Sequence, residues 1–232
     1  MTLDDLATVC VIVPAYNEAE VLESVLTGLL DVFPRVVCVD DGSSDGSADI
    51  ARTAGATVVR HAVNLGQGAA LETGFAYARS QPEIEHVITF DADGQHDSGD
   101  ALTMLATCRA TGTDIVLGSR ALGAAVDQPL RRALLLRAAL LVSRVTSGLP
   151  VSDTHNGLRV LSRRAFSRIT LTQPGMAHAS ELEGAIKSHG LTWLESPTTI
   201  RYTEYSLGKG QAKLNAINIV FDLAIARLRS AA

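Results

Sequence analysis

The chain is poor in several features that would each have named a function class. Among its 232 residues only Cys10, Cys38 and Cys108 are cysteines. An odd count with no metal-ligand spacing argues against both a disulfide framework and a cysteine-built zinc site. Cys10 and Cys38 lie in apolar runs and read as buried thiols in a reducing compartment. Basic charge is not in excess: the formal net charge is −5, which argues against a general nucleic-acid binder. No uncharged stretch reaches the roughly 18–20 apolar residues of a membrane span. The greasiest segment, 130–145, is interrupted by Arg131, Arg132, Arg137 and Arg144. The first ten residues, MTLDDLATVC, lack the charged-then-apolar pattern of a secretion signal. A cytoplasmic protein is expected, soluble or peripheral at the cytoplasmic face of a membrane. Gly-Lys-Ser/Thr and His-Glu-x-x-His are both missing, which removes the ATPase phosphate loop and the helical zinc site.

Hydrophobic residues make up 47% of the chain and charged residues 19%. That is ample for a core and unlike a disordered segment. The charge is unevenly spread. Residues 1–119 carry 5 basic and 18 acidic side chains, residues 120–168 carry 9 arginines and 2 aspartates, and residues 169–232 carry 6 basic and 5 acidic groups. A basic middle inside an acidic chain requires an explanation.

Apolar runs alternate with helical patterns from the start. The runs predict strands over 8–13, 36–39, 57–60, 86–90 and 114–117, and helices over 18–30, 47–54, 68–79 and 100–109. This β-α alternation predicts an α/β fold with a mostly parallel central sheet and helices on both faces. Ligands in such folds bind at the carboxyl ends of the strands. Beyond that the pattern loosens. A mobile loop is expected over 120–128, helices over 129–147, 179–189 and 213–229, and strands over 157–161 and 191–200. The last helix carries Leu214, Ile217, Phe221, Ile225 and Leu228 at helical spacing, a stripe for core packing or, less simply, for a membrane surface or partner. With no repeat or linker, one domain over 1–232 is expected.

The strand ends carry the chemistry. The fourth strand runs into Asp91-Ala92-Asp93-Gly94-Gln95-His96. Two carboxylates one residue apart offer the hard oxygens that Mg²⁺ or Mn²⁺ takes, and Gln95 adds a neutral oxygen. A solvated turn explains the same residues. The first strand ends in Pro14-Ala15-Tyr16-Asn17-Glu18 and the second in Val39-Asp40-Asp41-Gly42-Ser43-Ser44-Asp45-Gly46. Aspartates there can accept from a base or ribose, and Tyr16 can pack on a flat ring, while Asn17 or Ser47 could simply cap helices. Gly42-Ser43-Ser44-Asp45-Gly46 matches a hydrolase elbow, but its aspartates oppose an oxyanion. Gly66-Gln67-Gly68 opens a helix as a dinucleotide loop would, but Leu71 stands where the third glycine belongs. Arg120 follows the fifth strand, and Arg120 with one of Arg131 and Arg132 is expected to grip phosphate. Most of the arginines from 137 to 168 are expected to be solvated or paired.

Six ordered segments resemble the family 2 glycosyltransferases of GT-A fold, within them the dolichyl-phosphate mannose synthase-like, polyprenyl-phosphate sugar transferase branch. They are VIVPAYNEAE (11–20), VDDGSSDGS (39–47), NLGQGAALETGFAYA (64–78), FDADGQH (90–96), DIVLGSR (114–120) and SDTHNGLRVLSRRAF (152–166). The resemblance implies that Pro14, Tyr16, Glu18, Val39 and Asp41 hold the nucleoside. It places Asp91 and Asp93, with Ala92 between them, at the metal and diphosphate, and Gln95 in the metal shell. It gives Arg120 and Arg132 to phosphate, Lys209 to a loop over the site, and Asp153 to the acceptor side, and so makes 1–119 the nucleotide-sugar-binding half and 120–232 the acceptor-side half. Asp91, Asp93, Arg120 and Asp153 would form the catalytic set. The implied reaction is metal-dependent inverting transfer from a nucleotide-diphosphate sugar. Nine arginines across 120–168 favour an anionic, lipid-phosphate acceptor, with a sugar hydroxyl or a small phosphorylated acceptor as alternatives. A silent nucleotide-sugar-binding protein is a third reading. The bilayer surface or a small membrane protein would present the lipid.

Overall fold

A computed structural model of the chain describes residues 3–126, 140, 149–175 and 177–208. The helices expected over 129–147 and 213–229 lie outside these residues, as do Arg131, Arg132 and Lys209.

In chain order the elements are α1 (Leu3–Leu6), β1 (Val9–Ala15), α2 (Leu22–Leu30), β2 (Val36–Asp40), α3 (Ser47–Thr53), β3 (Thr57–Arg60), α4 (Gln67–Ser80), β4 (His86–Thr89), α5 (Ser98–Thr111), β5 (Ile115–Val126), β6 (Arg159–Ser162), α6 (Arg163–Arg168), α7 (His178–Ser188) and β7 (Trp193–Arg201). Every residue of β1 and β2 is buried, as their unbroken Val/Ile/Cys runs require of strands covered on both faces. The period of two sorts them. Val9, Val11 and Val13 join a core layer with α2 and α5, while Cys10 and Ile12 join one with α4, α6 and α7. Helices therefore cover both faces, as expected.

The sheet has seven strands in the order β3-β2-β1-β4-β6-β5-β7. β6 alone runs antiparallel, between β4 and β5. This mostly parallel α/β architecture is the GT-A type that the resemblance implied. Parallel pairing sets Ala15 beside Asp40 and Asp40 beside Arg60. The reversed β6 brings Arg159 level with Thr89 and Leu117. The carboxyl ends of β1, β2, β4 and β5 and the amino end of β6 thus share one edge.

The structure corrects the expected loop over 120–128. Residues 120–126 continue β5, paired in parallel with β7 across an irregularity between Ser119 and Ala124. Their Ala/Gly-rich sequence has weak strand propensity, so it is the pairing with β7 that makes them a strand. β6 begins at Arg159 rather than 157, because Asn156 Oδ1 accepts from Leu158 N (3.0 Å) and turns the chain there. α6 is a further difference, too short to show periodicity and started by Ser162, whose hydroxyl accepts from Ala165 N. No helix among the described residues is long and apolar enough to cross a membrane.

All three thiols are free and buried. Burial pushes Cys10 and Cys38 up to about 12 and Cys108 up to about 11. Only the thiolate reacts. At pH 8 the native protein should therefore be inert to a thiol reagent that titrates all three cysteines once the chain is unfolded. Rapid labelling of Cys10 or Cys38 in the native state would contradict the packing of β1 and β2.

Candidate active site

The loops after β1 and β2 are laced to each other. Asn17, in the left-handed region at φ 53°, donates its N–H to Ser43 Oγ and accepts from Ser44 N on Oδ1, both at 2.9 Å. Glu18 N donates to Ser47 Oγ (2.9 Å) and Ala19 N to Asp45 Oδ2 (3.0 Å). Tyr16 is exposed at the rim, while Pro14 is buried in β1. Val39 points its side chain into the α4-side core, so only its backbone can meet a ligand. Glu18 is buried, and its Oε2 accepts from the Tyr205 hydroxyl (2.7 Å). Burial, then this hydrogen bond, pushes the Tyr205 phenol well above its ordinary value. Tyr205 lies in a helical turn over 204–208, begun by reciprocal Thr203–Ser206 hydrogen bonds.

Asp40 and Asp41 behave differently. Asp40 forms an ion pair with Arg60 (3.0 Å). Asp41, only 2% exposed, accepts on Oδ1 from Leu65 N (2.8 Å), with His61 Nδ1 at 2.7 Å, and on Oδ2 from Gly66 N (2.7 Å). The other His61 nitrogen meets Thr73 Oγ1 at 2.9 Å. Asp41 thus fixes the loop that opens α4. A carboxylate has about four acceptor positions, so room remains on Oδ2 for one donor from a ligand. Gly42, at φ +74°, lets this turn lie against the same loop, since a methyl there would come within 2.6 Å of the Val63 carbonyl carbon.

From the opened α4, Gln67 Nε2 reaches Asp91 Oδ1 at 3.1 Å. His96 Nε2 lies 3.3 Å from Asp91 Oδ2, its ring edge-on to Phe90. Asp93 Oδ1 accepts weakly from Gln95 N (3.3 Å). The backbone carbonyl of Gln95 accepts from Arg201 N (3.0 Å), but its side-chain Nε2 is buried with no hydrogen-bond partner. The amide is therefore not locked by the fold and can turn its oxygen toward a ligand. Among the described residues no group of three His, Cys, Asp or Glu side chains could hold a metal by itself. Asp91, Asp93 and the Gln95 oxygen instead form the sparse, all-oxygen set that Mg²⁺ or Mn²⁺ accepts when phosphate oxygens complete the shell. The residues fit such an ion. Gly157 is essential to this geometry, because a methyl on it would coincide with the Asp91 carboxylate.

Arg120 is not a free cation. Its N and Nε both donate to Asp153 Oδ2 (3.0 and 2.7 Å), Nη1 donates to the Tyr202 hydroxyl (2.7 Å) and Nη2 to the His155 carbonyl (3.1 Å). Burial works against the Arg120 charge, but the Asp153 carboxylate outweighs it and holds Arg120 above its ordinary value. Three of its five N–H donors are committed, and two remain. Asp153 is correspondingly committed to Arg120. Elsewhere in the basic middle, Arg164 pairs with Asp114 (2.8 Å) and Arg163 donates to the Gln81 and Ile84 carbonyls. The expected pairing of these arginines is seen.

Sequence reasoning brought Asp41, Asp91, Asp93, Gln95, Arg120 and Asp153 to this edge and missed His61, Gln67, His96, Gly157, Arg159 and Tyr205. Gln67 also stood in the Gly66-Gln67-Gly68 loop, and Gln67, His96, Gly157 and Arg159 stand in three of the six recognisable segments, whereas His61 and Tyr205 carried no such signal.

A profile described as Glycosyl transferase family 2 matches residues 10–170. The chain is a family 2 glycosyltransferase. This glycosyltransferase is 34% identical over 224 residues to an uncharacterized protein of Methanocaldococcus jannaschii, covering 94% of this chain and 91% of that one. It is 29% identical to the polyprenol monophosphomannose synthase of Mycolicibacterium smegmatis, with coverage of 90% and 82%. Among solved structures it superposes on glucosyl-3-phosphoglycerate synthase of Mycobacterium tuberculosis, crystallised with Mn²⁺, UDP and glucosyl-3-phosphoglycerate. The TM-score there is 0.66 at 19% identity, covering 88% and 77% of the chains. That likeness is one of fold.

Two outcomes follow for this glycosyltransferase. Gly157→Ala displaces the flexible end of Asp91 rather than backbone, so stability should fall by only about 1 kcal/mol. Mn²⁺-dependent nucleotide binding should drop by at least about tenfold, measured by calorimetry beside a thermal melt. Burial first, and then the Arg159 charge, lower His178 to about 4. Below pH 6.5 the unfolded chain takes up a proton that the folded one refuses, so stability falls as the pH drops from 6.5 toward 4. About 2 kcal/mol should be lost by pH 5, and His178→Gln should remove that part of the slope.

Proposed function

We propose that this glycosyltransferase moves a sugar from a nucleotide-diphosphate donor to a polyprenyl phosphate, inverting the anomeric centre. The nucleoside lies along the ends of β1 and β2, under Tyr16 and against Asp41 and Glu18. Asp91, Asp93 and Gln95 hold a Mg²⁺ or Mn²⁺ ion, which when bound offsets the charge of the diphosphate leaving group. Arg120, braced by Asp153, offers its two remaining donors to phosphate, Arg132 is assigned to the same task, and Lys209 is assigned to a loop over the site. The acceptor arrives from the β5 and β6 side. Its phosphate oxygen forms the new bond to the anomeric carbon as the bond to the diphosphate breaks, and the nucleoside diphosphate departs. Asp91 and Asp93 orient the leaving group, and the Gln67 and His96 contacts keep Asp91 in place.

The observation that carries the choice of acceptor is the Arg120–Asp153 pair. A sugar hydroxyl needs a carboxylate to take its proton, yet Asp153 is held in a buried ion pair, its Oδ2 accepting from Arg120 N and Nε. A lipid phosphate is already anionic near pH 7 and needs no base. The relatives' names agree, since several act on dolichyl or undecaprenyl phosphate. The lipid chain stays in the bilayer, so the enzyme works at the membrane surface, from the cytoplasm that holds nucleotide sugars.

The test is incubation with radiolabelled UDP- and GDP-sugars, a divalent ion and polyprenyl phosphate. Label should enter the organic phase, and Asp93→Asn should lower that transfer by at least about 100-fold. Label that appears only in water-soluble products would replace the lipid with a small acceptor. Unchanged turnover in Asp93→Asn would remove the metal role.

A further inference from the structure

β6 opens with an arginine that none of the assignments above uses. Arg159 is 4% exposed. Among the described residues its guanidinium has no hydrogen-bond partner and no carboxylate within ion-pair distance. Burying a guanidinium with five unmatched donors is costly unless something satisfies them. The charges that act on it are those of Asp91, Glu183 and Asp153. Those that act on His178 are Arg159, Asp91 and His155. Arg159, His155 and His178 are thus within electrostatic reach of one another, and Arg159 and His178 of Asp91.

The register fixes where this cluster faces. Arg159 is level with Thr89, two residues before Asp91, and with Leu117, three before Arg120. It shares the face of Leu117 and Leu161, toward α4 and α7. Across the sheet the order is nucleoside edge (β2, β1), carboxylate edge (β4), then Arg159 (β6). Arg159 thus lies beyond Asp91 from the nucleoside, and the gap between them is wider than a direct ion pair. His155, one strand turn away, has its Nδ1 buried and unpartnered. A neutral imidazole N–H and an unspent guanidinium fork are suited to the oxygens of a phosphate.

From this geometry we infer that Arg159, with His155 Nδ1 beside it, forms the seat for the phosphate monoester of the acceptor, on the far side of Asp91 from the donor nucleoside. The inference rests on the proposed transferase reading and names the group that would receive its acceptor. The ligand chemistry is a terminal phosphate, whether on a lipid or free in solution. Arg120, besides offering its two remaining donors, holds the 152–156 loop on which His155 sits, and Arg159 supplies the fork.

The experiment uses the full chain saturated with Mn²⁺ and whichever nucleoside diphosphate raises its melting temperature more. Inorganic phosphate and a short polyprenyl phosphate in detergent are titrated by calorimetry. Wild type should bind both. Arg159→Gln should weaken both by at least about tenfold, Arg159→Lys by less, with the affinity for the nucleoside diphosphate and Mn²⁺ changed less than about twofold. His155→Ala, at a half-buried position, should show a smaller loss of the same kind and serves if Arg159→Gln does not fold. The inference is overturned if wild type binds neither probe, if no variant alters phosphate binding, or if nucleotide binding falls instead. Phosphate binding that depends on Arg159 but gains nothing from the prenyl chain would leave the seat standing and remove the lipid acceptor.

Discussion

A carboxylate held out of water must be met by donors, and at Asp41 that requirement shapes the ligand edge. Its oxygens receive Leu65 N, Gly66 N and His61, which dictates the path of the chain between β3 and α4. That path delivers Gln67 at the first position of α4, from which it reaches Asp91. The ends of β2 and β4, strands separated by β1, are therefore joined through one loop. Disturbing Asp41 would be felt at Asp91 without any change at Asp91 itself.

The same logic of paired charge runs through the rest of the edge. Asp40 is met by Arg60, and Asp153 by Arg120. The Arg120–Asp153 pair is the buried one, and its value lies in fixing geometry, since desolvation offsets much of the attraction. What stays unpaired is then informative. The side-chain amide nitrogen of Gln95 and the Nδ1 of His155 are buried without a hydrogen-bond partner, and the guanidinium of Arg159, on a residue 4% exposed, makes no hydrogen bond or ion pair among the described residues. All three lie on the ligand edge, where a metal ion and phosphates would supply what the protein does not.

The uneven charge along the chain takes on a spatial meaning. The acidic first half contributes Asp41, Asp91 and Asp93 from parallel strands, and the basic middle contributes Arg120 and Arg159 from the next two strands of the same sheet. Part of that basic segment is spent on structure, as Arg163 and Arg164 show by tying β6 and α6 to the 81–84 turn and to Asp114. Among the described residues, Arg120 and Arg159 are the arginines of this segment at the edge.

By itself the sequence determined the core strands and the loops that follow them. Unbroken Val/Ile runs can only be buried strands, and β3 falls on the expected residues 57–60. The Asp-Asp-Gly and Asp-Ala-Asp-Gly signatures mark strand ends because turn residues follow apolar ones. Those are local properties, set by side-chain periodicity and turn chemistry. Only the tertiary structure decided the rest, because it depends on residues far apart in the chain. β5 extends to Val126 because β7 pairs with it, not because Ala and Gly favour strands. Gly157 matters because Asp91, 66 residues earlier, fills the place of its side chain. Arg120 lost its freedom to Asp153 and Tyr202, while Arg159, one of nine arginines between residues 120 and 168, was left with its donors unmet. Composition counted those charges, but only the packing could say which were already paired.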